Sequence, residues 1–385
     1  MARKQFFALF LCSLTGWIIA QGTLALLPVY AVRLGADSSS IGNYLALAFG
    51  TLTVGTILAG WLSDRFQRRK AMLVIAGLVS IPATWLMGQA SAYWQLVILT
   101  AVVWFCLGVS FTVISILAGL FAGETERGKI FGALALNTSL GALIGGAVSG
   151  PIVDQQGYSA WFLLAAACWV LQPLITLFMQ DRVVSGVPHD AAATRLATPA
   201  LGGMFYLLLL AHVIAFGANF FSVLGRPLLM DDLGFDSAAI SGAVAVGGTV
   251  SLPFPLLVGW LSDRIGRYPL LIVCFVISAL GLFVLAVSES LMHFWISSIL
   301  LAAMGVALAI GPALVTDLVP PNILGSALSW YGFAPPAGGI LGFMLTGYAI
   351  QGFGMTATFV GGALLTLIAA ALLLRVQRSR QLAPG

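Results

Sequence analysis

Charge is what this chain has least of. Asp, Glu, Lys and Arg make up 8% of its 385 residues, whereas 60% are hydrophobic and the mean hydropathy is +1.04. A water-soluble fold places charge at about a quarter of its positions, so a soluble reading is excluded and lipid is the expected solvent. Cysteine is scarce too. Cys12, Cys106, Cys168 and Cys274 each lie inside an apolar run with no C-x-x-C spacing, which removes disulfide frameworks and zinc sites. There is no nucleophile–base pair, no metal-ligand cluster and no G-x-x-x-x-G-K-[ST] loop, so hydrolytic chemistry and ATP-driven transport lack their parts. No enzyme activity, cofactor or metal is expected.

What is present is long apolar runs. Arg3-Lys4 opens a stretch reaching about Val32; a signal-peptide core spans roughly 7–15 residues, so this stretch reads as a retained helix. A bilayer-crossing helix needs about 20 mostly apolar residues. That ruler predicts an all-α membrane protein of twelve spans: near 6–32, 41–62, 71–89, 94–120, 130–151 and 159–179, then 203–229, 239–261, 269–287, 292–316, 324–349 and 356–374. The polar stretch 181–201 divides an N-terminal bundle (1–180) from a C-terminal one (202–385). With the N-terminus inside, 15 of the 17 basic residues fall on inner segments and only Arg33 and Arg226 toward the outside. Such a bias sets orientation, so both termini are expected in the cytoplasm. None of the 13 acidic residues sits mid-span; Asp154 and Asp317 come nearest to lipid depth.

The chain repeats itself. Gly60-Trp61-Leu62-Ser63-Asp64-Arg65 recurs as Gly259-Trp260-Leu261-Ser262-Asp263-Arg264, an offset of 199. At that offset Pro28, Leu34, Gly35, Asp37, Ser38, Ile41 and Arg68 match Pro227, Leu233, Gly234, Asp236, Ser237, Ile240 and Arg267. Further on the offset is 197: Gly108, Gly128, Gly141, Gly145, Gly150, Gly157 and Phe162 match Gly305, Gly325, Gly338, Gly342, Gly347, Gly354 and Phe359. Each repeat has six spans and starts inside, so the two are parallel.

Over essentially its whole length the sequence resembles the major facilitator superfamily. The carriers are Gly60–Lys70 and Gly259–Arg267, which look like the family's signature loop between the second and third helices and its echo between the eighth and ninth. Gln67 stands where the family usually has glycine; Gly266 keeps it. The glycines Gly60 and Gly259 are expected to admit another backbone closely. The resemblance implies two six-helix bundles working by alternating access, with Gly60, Asp64, Arg65, Arg68, Gly259, Asp263, Arg264 and Arg267 at an inner gate. The pattern is nearest to bacterial efflux-type members, which implies a secondary transporter of a small organic solute in the inner (plasma) membrane. Two antiporter signatures depart: Trp104 replaces the arginine expected four residues before Gly108, and Gly141-Ala142-Leu143-Ile144-Gly145-Gly146 lacks the proline of Gly-Pro-x-x-Gly-Gly. A proton-independent uniporter or anion exchanger therefore stays open, as does a sensor or partner subunit that transports nothing; His212 or Asp154 could carry a proton.

Polar groups at membrane depth usually face a cavity or another helix. His212, Asn219 and Arg226 recur every seven residues on one face of the seventh span. Gln21 lies at matching depth in the first span, with Trp17 one turn before it. The family's first and seventh helices line its central path, so the resemblance puts a site there. The expected solute-lining set is Trp17, Gln21, Trp104, Asn137, His212, Asn219, Arg226, Trp330 and Tyr331. Pro253/Pro255, Gly311-Pro312 and Pro335-Pro336 predict bends in the eighth, tenth and eleventh spans. The partners expected are the solute, a proton or counter-ion and the bilayer, with no nucleic acid, and the chain is expected to act as a monomer.

Overall fold

The structure is a computed structural model that describes residues 3–122, 127–181, 201–320 and 323–382, with backbone alone at 127, 255, 256, 259, 260, 263 and 380–382. Among the described residues all regular structure is helical. The first six helices are α1 (Arg3–Arg33), α2 (Ser38–Phe66), α3 (Arg69–Met87), α4 (Tyr93–Phe121), α5 (Arg127–Gln156) and α6 (Tyr158–Leu177). Then come α7 (Gly203–Asp232), α8 (Ser237–Ser251), α9 (Phe254–Ile265), α10 (Arg267–Ala286), α11 (Leu291–Leu301), α12 (Gly305–Leu318), α13 (Leu324–Gly332) and α14 (Ala334–Leu382). Ten stretches are long and apolar enough to cross a bilayer. One of them, Leu324–Ser379, contains a non-helical residue at Gly354 that divides it, and Ser237–Ser251 is a shorter apolar helix. The twelve stretches expected from hydropathy all fall on helices of this series.

Local chemistry explains why the repeat exists. Helix α1 stops when Gly35 takes φ +87°, which lets the Ala36 N–H reach back to the Ala31 carbonyl at 3.0 Å. Helix α7 stops identically, with Gly234 at φ +79° and the Phe235 N–H on the Met230 carbonyl at 2.9 Å. Only glycine enters that region without penalty. The next residue but one is an aspartate in both copies. Asp37 caps α2 by accepting from the Ser40 N–H at 2.7 Å, and Asp236 caps α8 by accepting from the Ala239 N–H at 2.7 Å. The Ser40 N–H, with the Ser40 and Ser39 hydroxyls, holds Asp37's carboxyl below its usual range. That cap therefore helps above the unfolded-state value and is lost as pH falls through the lowered one. Gly157 and Gly354 complete the pattern: both have φ +82°, with ψ at 171° and 173°. The matched pairs Gly35/Gly234, Asp37/Asp236 and Gly157/Gly354 are thus helix stop and start signals.

The chain forms two compact units. The first holds Met1–Val183 and Arg226–Leu252, the second Val184–Gly225 and Pro253–Gly385. In the first, Leu9, Cys12, Leu73, Val113 and Leu117 form a buried cluster. In the second, Phe205, Leu208, Phe275, Ala307, Leu314 and Leu373 do so.

The three spans flagged by proline are each interrupted. Leu252-Pro253 separates α8 from α9, a 3-10 turn at Ala302–Met304 separates α11 from α12, and Phe333 separates α13 from α14. The position differs in the tenth span, where Pro312 lies inside α12 and the interruption falls earlier. Pro28, Pro82, Pro151, Pro173 and Pro227 likewise sit inside unbroken helices. Neighbouring helices in a membrane re-satisfy the carbonyl that proline frees, so proline alone does not end a span.

Gln67 is the only non-glycine with positive φ among the described residues, at φ 51° and ψ 22°. Its repeat partner Gly266 has φ 85° and ψ 154°, a region essentially closed to side chains. Gln67→Gly should raise the thermal midpoint of the detergent-solubilised protein, by about 1 kcal/mol of stability. Gly266→Gln should lower it by about 1–3 kcal/mol. Equal midpoints for all three proteins would refute both.

Candidate functional site

Helix α5 carries two glycine faces, and each lies on another backbone. A side chain at Gly141 would begin 2.6 Å from the Trp17 carbonyl carbon of α1, and one at Gly145 would begin 2.8 Å from the Gly22 nitrogen. One residue further round, Gly146 points at α8, where a Cβ would meet the Ala245 nitrogen at 2.7 Å; Gly150 faces Ser237 and Ser241. Helix α8 reciprocates with Gly248, 2.6 Å by the same measure from the Leu143 nitrogen. Four-residue spacing keeps each glycine pair on one side of the helix. The Gly150 N–H also donates to Ser241 Oγ at 3.1 Å. At the end of this seam where α8 begins, Asp154 accepts from the Ser237 N–H at 2.9 Å and the Ala238 N–H at 2.7 Å, one bond to each carboxylate oxygen. The start of α8 thus holds two carboxylates, Asp154 and Asp236, where its dipole favours negative charge. Beside it the Arg33 guanidinium lies 5.0 Å over the Tyr158 ring, which stacks on Tyr30 at 4.3 Å.

The nine solute-lining expectations separate by burial. Trp17 is half-buried and stacks on Phe111, with ring centroids 4.6 Å apart and planes 19° from parallel. Gln21, Asn219 and Arg226 are also half-buried, and Trp330 is exposed. The other four are enclosed. Trp104 is buried, and Asn137 donates from Nδ2 to the Phe10 carbonyl at 3.1 Å, tying α5 to α1. His212 is fully buried, with Nδ1 2.9 Å from the Leu208 carbonyl. Its ring meets Tyr331 edge-on at 5.0 Å and Phe275 at 5.9 Å. Tyr331 is buried against Gly311, and its hydroxyl donates to the Ala307 carbonyl at 3.4 Å.

Around the turn from α2 to α3, Asp64, Arg65 and Arg68 are exposed, and the Arg65 guanidinium lies over Trp61 and Phe66 at 5.4 and 5.7 Å. Arg264 is exposed as well. The side-chain environments of Gly259 and Asp263 fall outside the described residues. Arg267 pairs with Asp317 at 2.6 Å and donates to the Ala313 carbonyl at 3.0 Å, tying the start of α10 to α12. Gly60 does not make the close approach expected of it: among the described residues nothing lies within 4 Å of where its Cβ would be. The crowded glycines of this helix pair are Gly55, set against the Phe105 carbonyl, and Gly108 of α4, set against the Leu52 carbonyl. Helix α2 thus meets α4 before it reaches the repeated loop. Sequence reasoning missed Arg69. It is buried, donates from Nε to Ser63 Oγ at 2.8 Å and lies 3.9 Å from Asp181, which also accepts from the Lys70 N–H at 3.2 Å. The signal was the middle residue of the basic run Arg68-Arg69-Lys70.

The family model of the major facilitator superfamily matches residues 6–223 and 207–384. The chain belongs to the major facilitator superfamily. Its members among curated proteins include the multidrug resistance protein MdtG of Klebsiella pneumoniae, 28% identical over 91% of this chain and 87% of that one. MdtG of Enterobacter lignolyticus is 28% identical over 92% and 88%. The fold agrees with solved transporters. A bacterial homolog of the human lysosomal transporter Spinster, inward-facing and unoccupied, superposes with TM-score 0.81 at 14% identity, covering 100% of both chains. The nucleoside transporter NupG gives 0.76 at 16% identity, covering 98% of this chain and 100% of its own. As a member of this superfamily the chain is a multi-pass membrane protein and a secondary transporter of small solutes, and it is not an enzyme.

The α5–α8 seam generates a prediction. Gly146→Val forces a side chain into α8's backbone and should cost about 1–3 kcal/mol. Asp154→Ala leaves two amides without their acceptor and should cost about 1–3 kcal/mol. Hydrogen exchange read by mass spectrometry should then show the 237–239 amides opening faster in Asp154→Ala, with the α2 amides unchanged. Unaltered protection at 237–239 would refute the clamp.

Proposed function

We propose that this transporter is an exporter of small organic solutes, resident in the bacterial plasma membrane with both termini cytoplasmic and active as a monomer. Its working halves are 1–180 and 202–385, joined by 181–201. The observation that carries the direction is relatedness over about nine-tenths of the chain to proteins named for multidrug resistance. Trp17 and Gln21 on α1 and Asn219 and Arg226 on α7 are the solute-facing residues in this reading. Asp64, Arg65, Arg68 and Arg267 belong to the inner gate, and the interruptions of the eighth, tenth and eleventh spans supply the bending.

The second reading, a proton-independent uniporter or anion exchanger, draws support from two placements. Asp154 holds two backbone amides, which suits a fixed carboxylate better than a proton carrier. Trp104, standing where an antiporter arginine is expected, is buried in the first unit.

Reconstituted into sealed proteoliposomes, the protein should move solute outward with respect to its cytoplasmic face. Collapsing the proton gradient with an ionophore should stop this flux if the exporter is proton-coupled, whereas persistence would select the second reading. Gln21→Ala, Asn219→Ala and Arg226→Ala should each slow flux by about 2–10-fold, the worth of one hydrogen bond. Wild-type flux in all three would remove them from the path, and no flux from the parent protein would refute transport.

A further inference from the structure

We infer that the cleft between α2 and α4 is a binding site for a neutral, planar aromatic solute, with Phe111 as the face on which it stacks. This rests on the exporter reading and specifies its substrate class.

The cleft arises from the glycine contacts just described. Gly55 and Gly108 draw the two helices together until backbones touch, and the helices part beside that contact. The resulting groove holds about 490 Å³ and is widely open on one side, with Gly108 among its lining residues. Its volume lies in the range of small-molecule sites. Its walls are Leu52 and Ile116, the hydroxyls of Thr56, Thr112 and Ser115, and the Phe111 ring. Phe111 is pre-set. Trp17 stacks along it, and Gly16 leaves space for the ring edge, since a Cβ there would stand 3.0 Å from Phe111 Cε1. A ring fixed in this way loses little rotamer entropy when a second ring joins the stack.

The wall chemistry selects the charge of the occupant. None of the lining residues ionises. An ionic solute would leave water for a site with no partner, at far greater cost than a neutral one. The hydroxyls of Thr56 and Thr112 argue against a groove made for a lipid acyl chain, which offers them no partner. Ser115 Oγ already donates to the Phe111 carbonyl at 2.8 Å, so what it can offer a solute is its acceptor capacity. A neutral aromatic bearing a hydroxyl or amine donor meets all of these demands.

The experiment uses the full-length detergent-solubilised protein and four probes in equilibrium dialysis: 1-naphthol, its trimethylammonium and sulfonate analogues on the same ring, and 1-decanol. The wild type should bind 1-naphthol at least about tenfold more tightly than the other three. Phe111→Leu, which keeps bulk and loses the ring face, should weaken 1-naphthol about tenfold, and Phe111→Tyr should restore it. Thermal midpoints establish that each variant is folded; if Phe111→Leu is not, Thr112→Val and Ser115→Ala take its place, with a loss of about 2–10-fold expected for the donor-bearing probe. Equal binding of all charge forms, tighter binding of 1-decanol, or full affinity without Phe111 or the hydroxyls would overturn the inference. Binding is read without flux, so the two proposals fail separately. Specific binding with no transport refutes the exporter, whereas export that survives Phe111→Leu with unchanged 1-naphthol affinity refutes only the cleft.

Discussion

Backbone lying on backbone through glycine is the contact on which the first unit is built. In lipid there is no hydrophobic gain when one apolar helix leaves the acyl chains for another, so association depends on dispersion, hydrogen bonds and how closely the main chains can approach. Helix α5 meets that condition twice, with Gly141 and Gly145 on α1 and Gly146 and Gly150 on α8. The two pairs are one residue apart, which turns the second face by about 100° relative to the first. A single helix can therefore be clamped by two neighbours. The missing proline of the Gly-Pro-x-x-Gly-Gly pattern does not disturb this, because the glycines make the contact. Sequence symmetry pairs α8 with α2, whereas packing sets α8 against α5. The Asp154 clamp and the Ser241 bond to the Gly150 N–H are added to that seam.

Elements were legible where one residue type has one physical consequence. Gly35 followed by Asp37, and Gly234 followed by Asp236, specify a helix end and a helix start wherever they fall. Apolar run length specified the spans for the same reason. What could not be read was rotation of a helix about its axis. Arg68 and Arg69 are adjacent, yet the first is exposed and the second buried on Ser63. His212 and Asn219 share a predicted face, but only His212 is closed off, by Phe275 and Tyr331 from other helices. Burial at these positions is decided by partners on other elements, up to 119 residues away in sequence, and spacing carries no record of them.

Glycines and prolines show the same division. Gly60 lies in the most recognisable motif of the chain and, among the described residues, has nothing within 4 Å of where its Cβ would be, while Gly55, in no motif, carries the helix crossing. Pro312 sits in an unbroken helix while Ala302–Met304 tightens into a 3-10 turn without a proline. A residue that permits a close approach or a bend does not compel one; the neighbouring helix determines whether the permission is used.

The sparse charge of this chain is concentrated in structural work. Asp37 and Asp236 cap helices, Asp154 holds the start of α8, Asp181 meets Arg69 and the Lys70 N–H, and Asp317 meets Arg267. A carboxylate that cycles a proton must change partners between states, and each protonation of these would release a helix end. With acids concentrated at helix ends, the described cleft of α2 and α4 is lined by hydroxyls, aliphatic side chains and one ring. In such a place a solute is chosen by shape and by its freedom from charge, because a single ionised group would cost more on entry than one stacked ring returns.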